Sequence, residues 1–283
     1  MSKIWFITGT SRGFGRVWAE AALARGDRVA ATARRLDTLD ELSGRYGDEL
    51  LPLPLDVTDR AAVEEAVAGA HGHFGGLDIV VNNAGYGLFG AVEEVSEQQA
   101  RDQLETNFFG ALWVTKAALP LLRAQGSGHI VQVSSIGGVN AWRNIGLYHA
   151  SKWALEGLSQ ALAAEVSGFG IKVTLVEPTG YTTDWRDASA IRADPIADYD
   201  FLRQGQASPS GANRGDPGAT AAAILELVDL DDPPLRLFLG DGPLDVMRAE
   251  YAQRLATWEK WEELAVRAHG LPEGERQPAT KPS

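Results

Sequence analysis

The chain has 283 residues, of which 45% are hydrophobic and 23% are charged, a balance typical of a globular protein with a substantial core. It has no cysteine, which excludes disulfides, thiolate nucleophiles and cysteine-ligated metals. The formal net charge of −12 argues against nucleic acid or an anionic membrane as the main partner. No apolar run approaches the ~20 residues that span a bilayer. The stretch before the first glycine is too short for a signal peptide, so we expect a cytoplasmic protein.

Short apolar runs alternate with helical patterns along the chain. The predicted strands are residues 4–8, 28–33, 50–55, 78–82, 129–134, 172–177 and 235–239. The predicted helices are residues 14–25, 36–46, 59–74, 96–124, 147–168 and 217–228. Several runs are apolar nearly throughout, which is typical of parallel strands covered on both faces. Strands separated by crossover helices favour right-handed βαβ units. We therefore predict an α/β fold, with a doubly wound (Rossmann), mostly parallel seven-stranded sheet and helices on both faces.

Two regions interrupt the alternation of strands and helices. Residues 181–215 contain prolines and glycines but no clear strand, and a loop of this length is usually functional or disordered. We interpret it as an insertion in a domain of residues 1–242, and its part from Asp184 to Gly215 as a lid over a substrate. Residues 243–269 are predicted to form a C-terminal helix, followed by a disordered tail at 270–283.

A glycine-rich turn joins the first strand to the first helix. Glycines here let the backbone turn sharply and approach a pyrophosphate, which binds at the helix N-terminus. The spacing is Gly-x-x-x-Gly-x-Gly, which differs from the commonest dinucleotide-binding fingerprint. We expect this turn to bind a dinucleotide through Gly9, Ser11, Arg12, Gly13, Phe14 and Gly15.

The residues after the second strand indicate which dinucleotide binds. NAD-binding units carry an acidic side chain there against the ribose 2′-hydroxyl, but this chain has Arg34 and Arg35, with no carboxylate before Asp37. Arginine suits a 2′-phosphate, and Arg12 could supply a second guanidinium. We therefore expect NADP(H) in preference to NAD(H), which stays possible. The alternative is that Arg34 and Arg35 are ordinary solvated residues at a helix start.

The ends of the third and fourth strands also carry candidate ligand-binding residues. Asp56 and Val57 could contact the adenine, although an aspartate here could instead cap a helix. Asn82-Asn83-Ala84-Gly85 ends the fourth strand. Its asparagines could tie neighbouring strands together, or this segment could place small residues beside the ligand, and the two readings stay open.

A tyrosine and a lysine stand four residues apart, at Tyr148 and Lys152, and so share a face of a helix. A free tyrosine has a pKa of about 10, and an adjacent cation lowers it. General acid–base catalysis works best when the pKa lies near the working pH. Ser135, thirteen residues before Tyr148, could hold a substrate oxygen. The alternative is a surface helix that carries this pair by chance.

These motifs together resemble the short-chain dehydrogenase/reductase family over residues 3–242. The motifs that match in order are Thr8-Gly9-x-x-x-Gly13-x-Gly15, Asp56, Asn82-Asn83-Ala84-Gly85, Asn107, Ser135 and Tyr148-x-x-x-Lys152. The resemblance implies that Tyr148 is the acid/base and that Lys152 lowers its pKa and binds the nicotinamide ribose. It also implies that Ser135 binds the substrate oxygen, that Asn107 holds a water of the proton relay, and that no metal is needed.

The family usually continues after its sixth strand with Pro-Gly and then a threonine. Here Pro178 and Thr183 match, so the resemblance implies that both contact the cofactor, with Thr183 at the carboxamide. Thr179 stands where the family has glycine, which raises the question of the local backbone conformation, because threonine reaches positive φ at a cost. Gly180 could absorb the turn.

Aromatic and apolar residues are expected to wall the substrate pocket, namely Phe89, Ile136, Trp142, Tyr181 and Trp185. They favour an apolar ketone, aldehyde or secondary alcohol as substrate, and the family commonly forms homodimers or homotetramers through the helices at 96–124 and 147–168. We weigh two alternatives to an oxidoreductase. A nucleotide-sensing regulator would lack the tyrosine or the lysine, and an epimerase or dehydratase of the superfamily would have a larger C-terminal domain.

Overall fold

The computed structural model describes residues 2–183, 185, 189–204 and 214–270. The chain divides into two compact units, residues 1–243 and residues 244–283. The first unit contains the strands β1 (Ile4–Ile7), β2 (Arg28–Ala33), β3 (Leu50–Pro54), β4 (Ile79–Asn82), β5 (Leu88–Phe89), β6 (Gly128–Val133), β7 (Ile171–Pro178), β8 (Ile191–Arg192) and β9 (Arg236–Leu239). Seven of them form one parallel sheet in the order β3-β2-β1-β4-β6-β7-β9. The order reverses between β1 and β4, where doubly wound sheets bind their ligands.

Helices cover both faces of this sheet. The helices of the first unit are α1 (Gly13–Ala24), α2 (Asp40–Tyr46), α3 (Arg60–Phe74), α4 (Glu97–Leu104), α5 (Ala111–Gln125), α6 (Gly146–Val166), α7 (Asp200–Arg203) and α8 (Thr220–Asp229). Successive strand residues point to opposite faces. Trp5 and Ile7 of β1 therefore pack in the core layer of α1, α2 and α8, whereas Ile4 and Phe6 pack in the layer of α3, α5 and α6. The predicted doubly wound fold is confirmed.

The seven predicted strands are all present, each with ends within one residue of the prediction. The expectation that residues 181–215 contain no strand is wrong. This region contains β8, which pairs in parallel with β5 as a separate two-stranded sheet, and the short helix α7. Two-residue strands are too short to show a period-two pattern, so only the pairing reveals them. Asp184 and residues 186–188 and 205–213 of the predicted lid lie outside the described residues.

The helix predicted over residues 96–124 is interrupted by a π-helical turn at Glu105–Gly110. It starts with a capping box, in which Ser96 Oγ accepts from the Gln99 amide and Gln99 Oε1 accepts from the Ser96 amide. At the other end of the π turn, a Cβ on Gly110 would lie 2.6 Å from the Val57 side chain. The helix therefore passes close to the loop after β3. Such turns often mark functional sites.

The second unit contains α9 (Pro243–His269), whose bounds are those predicted from the sequence. Leu255, Trp258 and Trp261 on this helix are each more than half exposed. Residues 271–283 of the predicted disordered tail lie outside the described residues. In the described ranges, no helix is long and apolar enough to cross a membrane.

Candidate active site

A cavity of about 920 Å³ opens at the carboxyl ends of β1, β2, β3, β4, β6 and β7. The predicted residues that line it are Gly9, Ser11, Arg12, Gly13, Phe14, Arg34, Asp56, Val57, Asn83, Ala84, Gly85, Phe89, Ser135, Ile136, Trp142, Tyr148, Lys152, Pro178, Tyr181, Thr183 and Trp185. Three predicted residues, Gly15, Arg35 and Asn107, do not line it. The chain therefore brings most of the predicted site into one cleft.

The glycine turn has the geometry that its sequence predicts. Gly9 and Gly13 have φ values of +71° and +61°, which side chains other than glycine adopt at a cost. Gly15 lies beneath the turn, where a Cβ would stand 2.5 Å from both the Gly9 carbonyl oxygen and Asn83 Nδ2. Helix α1 begins at Gly13 and has no acidic residue in its first turn. Its positive end therefore meets the cavity without a competing carboxylate.

The fourth strand is tied to the glycine turn through Thr8 and Asn83. Asn83 Nδ2 donates to the carbonyl oxygens of Thr8 and Gly9, at 2.9 and 3.0 Å. Thr8 Oγ1 accepts from the amides of Asn83 and Ala84, at 2.9 and 3.0 Å. Asn83 therefore ties the end of β4 to the glycine turn, and the same segment also lines the cavity. This role of Thr8 was not predicted. The pattern that could have indicated it is a polar residue at the end of an apolar strand.

The arginines after β2 differ in their surroundings. Arg34 lines the cavity and makes no ion pair within the described part of the chain. Arg35 lies outside the cavity wall, has a side chain that is 76% exposed, and forms an ion pair with Asp37. The Asp37 carboxylate raises the pKa of Arg35 through this hydrogen bond. The geometry favours Arg34 over Arg35 as a phosphate ligand.

Asp56 lines the cavity without capping the next helix. Its Oδ1 accepts from the amide and the hydroxyl of Thr58, at 3.0 and 2.8 Å. The cap of α3 is Asp59, whose carboxylate accepts from the Ala62 amide at 3.1 Å. Asp56 therefore does not cap α3, and the alternative prediction of a capping role is wrong.

Tyr148 lies buried on α6 and lines the cavity together with Ser135. Lys152 Nζ lies 5.8 Å from the centre of the Tyr148 ring and donates to the Val133 carbonyl oxygen at 2.7 Å. Burial raises the pKa of Tyr148 to about 12, although the Ser135 hydroxyl opposes this. Burial lowers the pKa of Lys152 to about 8. The expected lowering of the tyrosine pKa by the lysine is thus absent here, because loss of solvation dominates.

Asn107 lies in the π-helical turn and is 1% exposed. Its Oδ1 accepts from the Tyr86 amide at 3.0 Å. Its Nδ2 donates to the Tyr86 carbonyl oxygen and to Ser151 Oγ, at 3.0 and 3.1 Å. Asn107 therefore joins the loop after β4 to α6, behind the cavity wall.

Aromatic side chains surround the mouth of the cavity above Tyr148. The Trp185 ring makes edge-on contacts with Tyr148 and Phe89, with centroid distances of 4.9 and 5.3 Å. Gly87 leaves room for it, since a Cβ there would stand 2.6 Å from the Trp185 ring. Tyr181, which was predicted to wall the substrate pocket, packs edge-on against Phe14 of the glycine turn at 5.0 Å. It therefore lies between the two ends of the cleft.

His149 fixes the loop that carries part of the cavity wall. Its Nδ1 donates to the Gly137 carbonyl oxygen at 2.9 Å, and its Nε2 accepts from the Trp142 amide at 3.0 Å. Burial lowers the pKa of His149, which favours the neutral ring that this pair of bonds requires. His149 therefore has a structural role in holding this loop against α6.

Two further arginines line the cavity, Arg143, which the sequence leaves open as a ligand of a carboxylate or phosphate, and Arg214, to which the sequence assigns no role. Neither forms an ion pair among the described residues. Asn144 has φ of +68° and is the single described non-glycine residue with positive φ. Arg214 stands at the end of the insertion, where only the fold brings it to the cleft. No group of three or more histidine or acidic side chains within the described ranges could hold a metal ion.

The turn after β7 needs no left-handed residue. Neither Thr179 nor Gly180 has positive φ, so the expectation that Gly180 absorbs a special conformation is wrong. The threonine side chain instead occupies space beside Gly240, where a Cβ would stand 1.9 Å from Thr179 Oγ1. A glycine at 240 therefore accommodates the threonine at 179.

Comparisons with known proteins agree with this site. A family model described as short chain dehydrogenase matches residues 3–193. Oxidoreductase BOA17 of Botryotinia fuckeliana is 41% identical over 271 residues, covering 94% of this chain and 99% of that protein. A short-chain dehydrogenase from Streptomyces avermitilis has a similar crystal structure, with a TM-score of 0.86, 39% identity, and coverage of 94% of this chain and 98% of that one.

A second similar structure contains a nucleotide. It is an alcohol dehydrogenase from the archaeon Thermococcus sibiricus, in complex with 5-hydroxy-NADP. Its TM-score is 0.70 at 28% identity, with 84% of this chain and 96% of that chain covered. The family match covers more than half of this chain, and the relatives named here are oxidoreductases or dehydrogenases. The protein is therefore an enzyme of the short-chain dehydrogenase/reductase family.

Proposed function

We propose that this protein is an NADP-dependent oxidoreductase that interconverts an apolar ketone or aldehyde and the corresponding alcohol, with Tyr148 as general acid/base. The observation that carries the proposal is the position of Tyr148. Its buried side chain lines the same cavity as Ser135, and its ring contacts Trp185 at a centroid distance of 4.9 Å, in a cleft that continues to the glycine turn. A carbonyl oxygen that enters between the aromatic rings reaches the tyrosine hydroxyl.

The residues of the cleft fit a phosphorylated dinucleotide. The turn from Gly9 to Gly15 leaves no room for a Cβ at Gly15, and the N-terminus of α1 faces the cavity. Arg12 and Arg34 line the end of the cleft where a 2′-phosphate would bind. The Thermococcus relative binds 5-hydroxy-NADP, which supports the same preference. When bound, the nicotinamide supplies or accepts the hydride.

Each proposed catalytic side chain has a defined part in the reductive direction. Tyr148 gives its proton to the substrate oxygen, and its raised pKa keeps that proton in place at neutral pH. Ser135 donates a hydrogen bond to the same oxygen. The Lys152 ammonium stabilises the tyrosinate that forms and binds the nicotinamide ribose. Asn107 anchors the wall behind Lys152 through Ser151 and, as in the family, holds a water of the proton relay.

The substrate class follows from the wall of the cavity. Phe89, Ile136, Trp142 and Trp185 present apolar surface, and pockets of this kind bind hydrophobic ligands with one polar group at the site. Arg143 could also meet a polar substituent at the mouth. The tyrosine and lysine of the motif are both present, which argues against a nucleotide-sensing regulator without chemistry. The relatives' names argue for oxidoreductase chemistry over epimerisation or dehydration.

The test is a screen of aromatic, terpenoid and steroid-like ketones with NADPH and with NADH, following the absorbance of the reduced nicotinamide. We expect turnover with NADPH, and a lower kcat/KM with NADH. The Tyr148→Phe variant serves as the control for contaminating reductases, because it keeps the ring and removes the hydroxyl. Turnover that is equal in wild type and variant would contradict the assignment of the acid.

A further inference from the structure

Two buried carboxyl groups lie behind the proposed catalytic lysine and take no part in the reaction as described so far. On α6, Tyr148, Lys152 and Glu156 follow one another at four-residue spacing, so they share a face of the helix. Glu156 is 5% exposed and lies one turn beyond Lys152. Glu177, on the neighbouring strand β7, is 1% exposed. Buried carboxyl groups need partners, because an unpaired buried charge is costly.

The two carboxyl groups share a single guanidinium. Arg236 Nε lies 3.0 Å from Glu156 Oε2 and 3.5 Å from Glu177 Oε1. Glu156 Oε1 and Glu177 Oε1 are both buried, and neither oxygen accepts a hydrogen bond from the described residues. Two ionised carboxylates supply no donor to each other, whereas one proton on the pair supplies one. One proton and one guanidinium leave the three groups with no net charge.

The surroundings indicate which carboxyl group holds the proton. Glu177 is the more deeply buried member and has the longer contact with Arg236, whereas Glu156 has the shorter contact. Burial raises the pKa of Glu177, and the charge of Glu156 raises it further. Burial and the contacts with Arg236 therefore both favour Glu177 as the member that holds the proton.

The other groups around the pair are few. Within the described part of the chain, the charged side chains that act on it are Arg236 from β9 and Lys152 from α6. Ser134, on the loop after β6, is a neutral neighbour. A Cβ on Gly138 would stand 2.5 Å from Ser134 Oγ and 3.1 Å from Glu156 Oε1. The negative charge of Glu156 acts on the lysine and opposes the effect of burial on the lysine pKa.

We propose that Glu156 is a positioning residue that keeps Lys152 in its charged form, and that Glu177 carries the single proton of the pair. The neutral Glu177 holds the Glu156 carboxylate beside the lysine without adding a second negative charge. This inference rests on the proposed role of Lys152 in catalysis. It predicts a shift of the pH dependence for Glu156→Gln and almost none for Glu177→Gln, although the two substitutions make the same chemical change.

The kinetic test compares Glu156→Gln with Glu177→Gln in ketone reduction by NADPH across pH 6 to 10. Glu156→Gln removes the charge that supports the ammonium, so the pH at which kcat declines should fall by about one unit, which is about a tenfold change in the protonation equilibrium. Glu177→Gln mimics the protonated acid, so the pH of the decline should stay within a few tenths of a unit of wild type. Equal shifts in the two variants would overturn the assignment.

A second measurement needs no enzyme activity. The pKa of Glu177 is raised in the folded protein, so the native state keeps a proton that the unfolded chain loses near its ordinary pKa of 4.5. The wild-type Tm should therefore decrease as the pH rises from about 5 towards the folded pKa, and the Tm of Glu177→Gln should not show this decrease. The Tm difference between them should grow with pH, and a constant difference would overturn the shared proton. If no ketone is reduced but this trend is seen, the proposed function fails while the pair stands.

Discussion

At the scale of single residues, the proposed chemistry depends most on the hydroxyl of Tyr148. Tyr148→Phe keeps the ring contacts with Trp185 and removes the proton donor. We expect kcat to fall by at least ~10²-fold, the low end for a positioned acid/base, with NADPH affinity nearly unchanged. Stopped-flow turnover and fluorescence titration of NADPH measure the two quantities. A variant that retains most of its activity would show that another group donates the proton.

Lys152 gives the reaction a pH dependence with a defined direction. Burial lowers its pKa to about 8, so the ammonium is present below that pH and is lost above it. Reduction should therefore decline above about pH 8, because the charge that stabilises the tyrosinate disappears. Alcohol oxidation should instead rise with pH, since it needs Tyr148 to give up its proton first. Lys152→Ala should abolish the decline and weaken NADPH binding as well, which pH profiles and titrations will show.

The choice between the two cofactors can be tested with a pair of neighbouring arginines. Arg34 lines the cavity, whereas Arg35 is 76% exposed and paired with Asp37, so it is a matched control. A charge-assisted contact contributes roughly 1.5–3 kcal/mol, or about tenfold to a hundredfold in affinity. Arg34→Ala should weaken NADPH binding by that factor and leave NADH almost unaffected. Arg35→Ala should change neither, and an equal loss for both cofactors in Arg34→Ala would assign that arginine to another part of the dinucleotide.

The residues found from the sequence were those whose neighbours are close along the chain. Tyr148 and Lys152 are related by one helical turn, and the glycine turn is a continuous motif, so local geometry determines both. Arg214 and the pair of Glu156 and Glu177 depend on contacts between distant segments. No period or spacing in one sequence encodes such contacts, so these residues could only be found in the folded chain.

At the scale of elements, a buried carboxylate, that of Glu94, holds residues 189–204 of the insertion after β7 in place. Glu94 accepts from the amides of Ala91 and Ile196, at 2.7 and 2.8 Å, and from Arg203 Nη1 at 2.6 Å. The pairing of β5 with β8 lies in the same region. These contacts anchor residues 189–204 to β5 and the loop after it, and β5 contributes Phe89 to the cavity wall. This part of the proposed lid is therefore held next to the cavity.

The anchor can be weakened without touching the cavity. Arg203→Ala removes the ion pair with Glu94, so limited proteolysis within residues 184–215 should become faster and KM for the ketone should rise. Saturating NADPH and substrate should protect this segment in wild type, while cleavage after residue 270 stays unchanged. Arg101→Ala, which breaks an exposed pair with Glu97, is the control and should alter neither quantity. Cleavage at the same rate with and without ligands would contradict a lid role.

The elements that the sequence predicted well are those with a long, regular pattern. The seven strands of the large sheet and the helix α9 were located because apolar runs or helical periods extend over several residues. The π-helical turn at Glu105–Gly110 was missed because its residues continue a helical pattern, and only the backbone of the folded chain shows the change. The short strands β5 and β8 were missed because pairing alone defines them.

At the scale of the whole molecule, the open question is which surface meets a second copy. Helix α6 carries an apolar stripe of Leu155, Leu158, Leu162 and Val166, a pattern that can face either the core or a partner. Leu155, Leu162 and Val166 of this stripe are buried within the subunit, so it serves the core. Trp153, on the same helix, is 39% exposed instead. A large aromatic residue on the surface is typical of an interface.

We therefore expect a homodimer or homotetramer that pairs through α6 and the helices α4 and α5, as the family commonly does. Trp153→Arg places a charge in the expected interface, where burying it without a partner is unfavourable. Size-exclusion chromatography with light scattering should show the variant shifted to a smaller species at micromolar concentration. Phe169→Arg is the control, because Phe169 is 46% exposed and lies beyond the end of α6. A shift in the control but not in Trp153→Arg would move the interface away from this helix face.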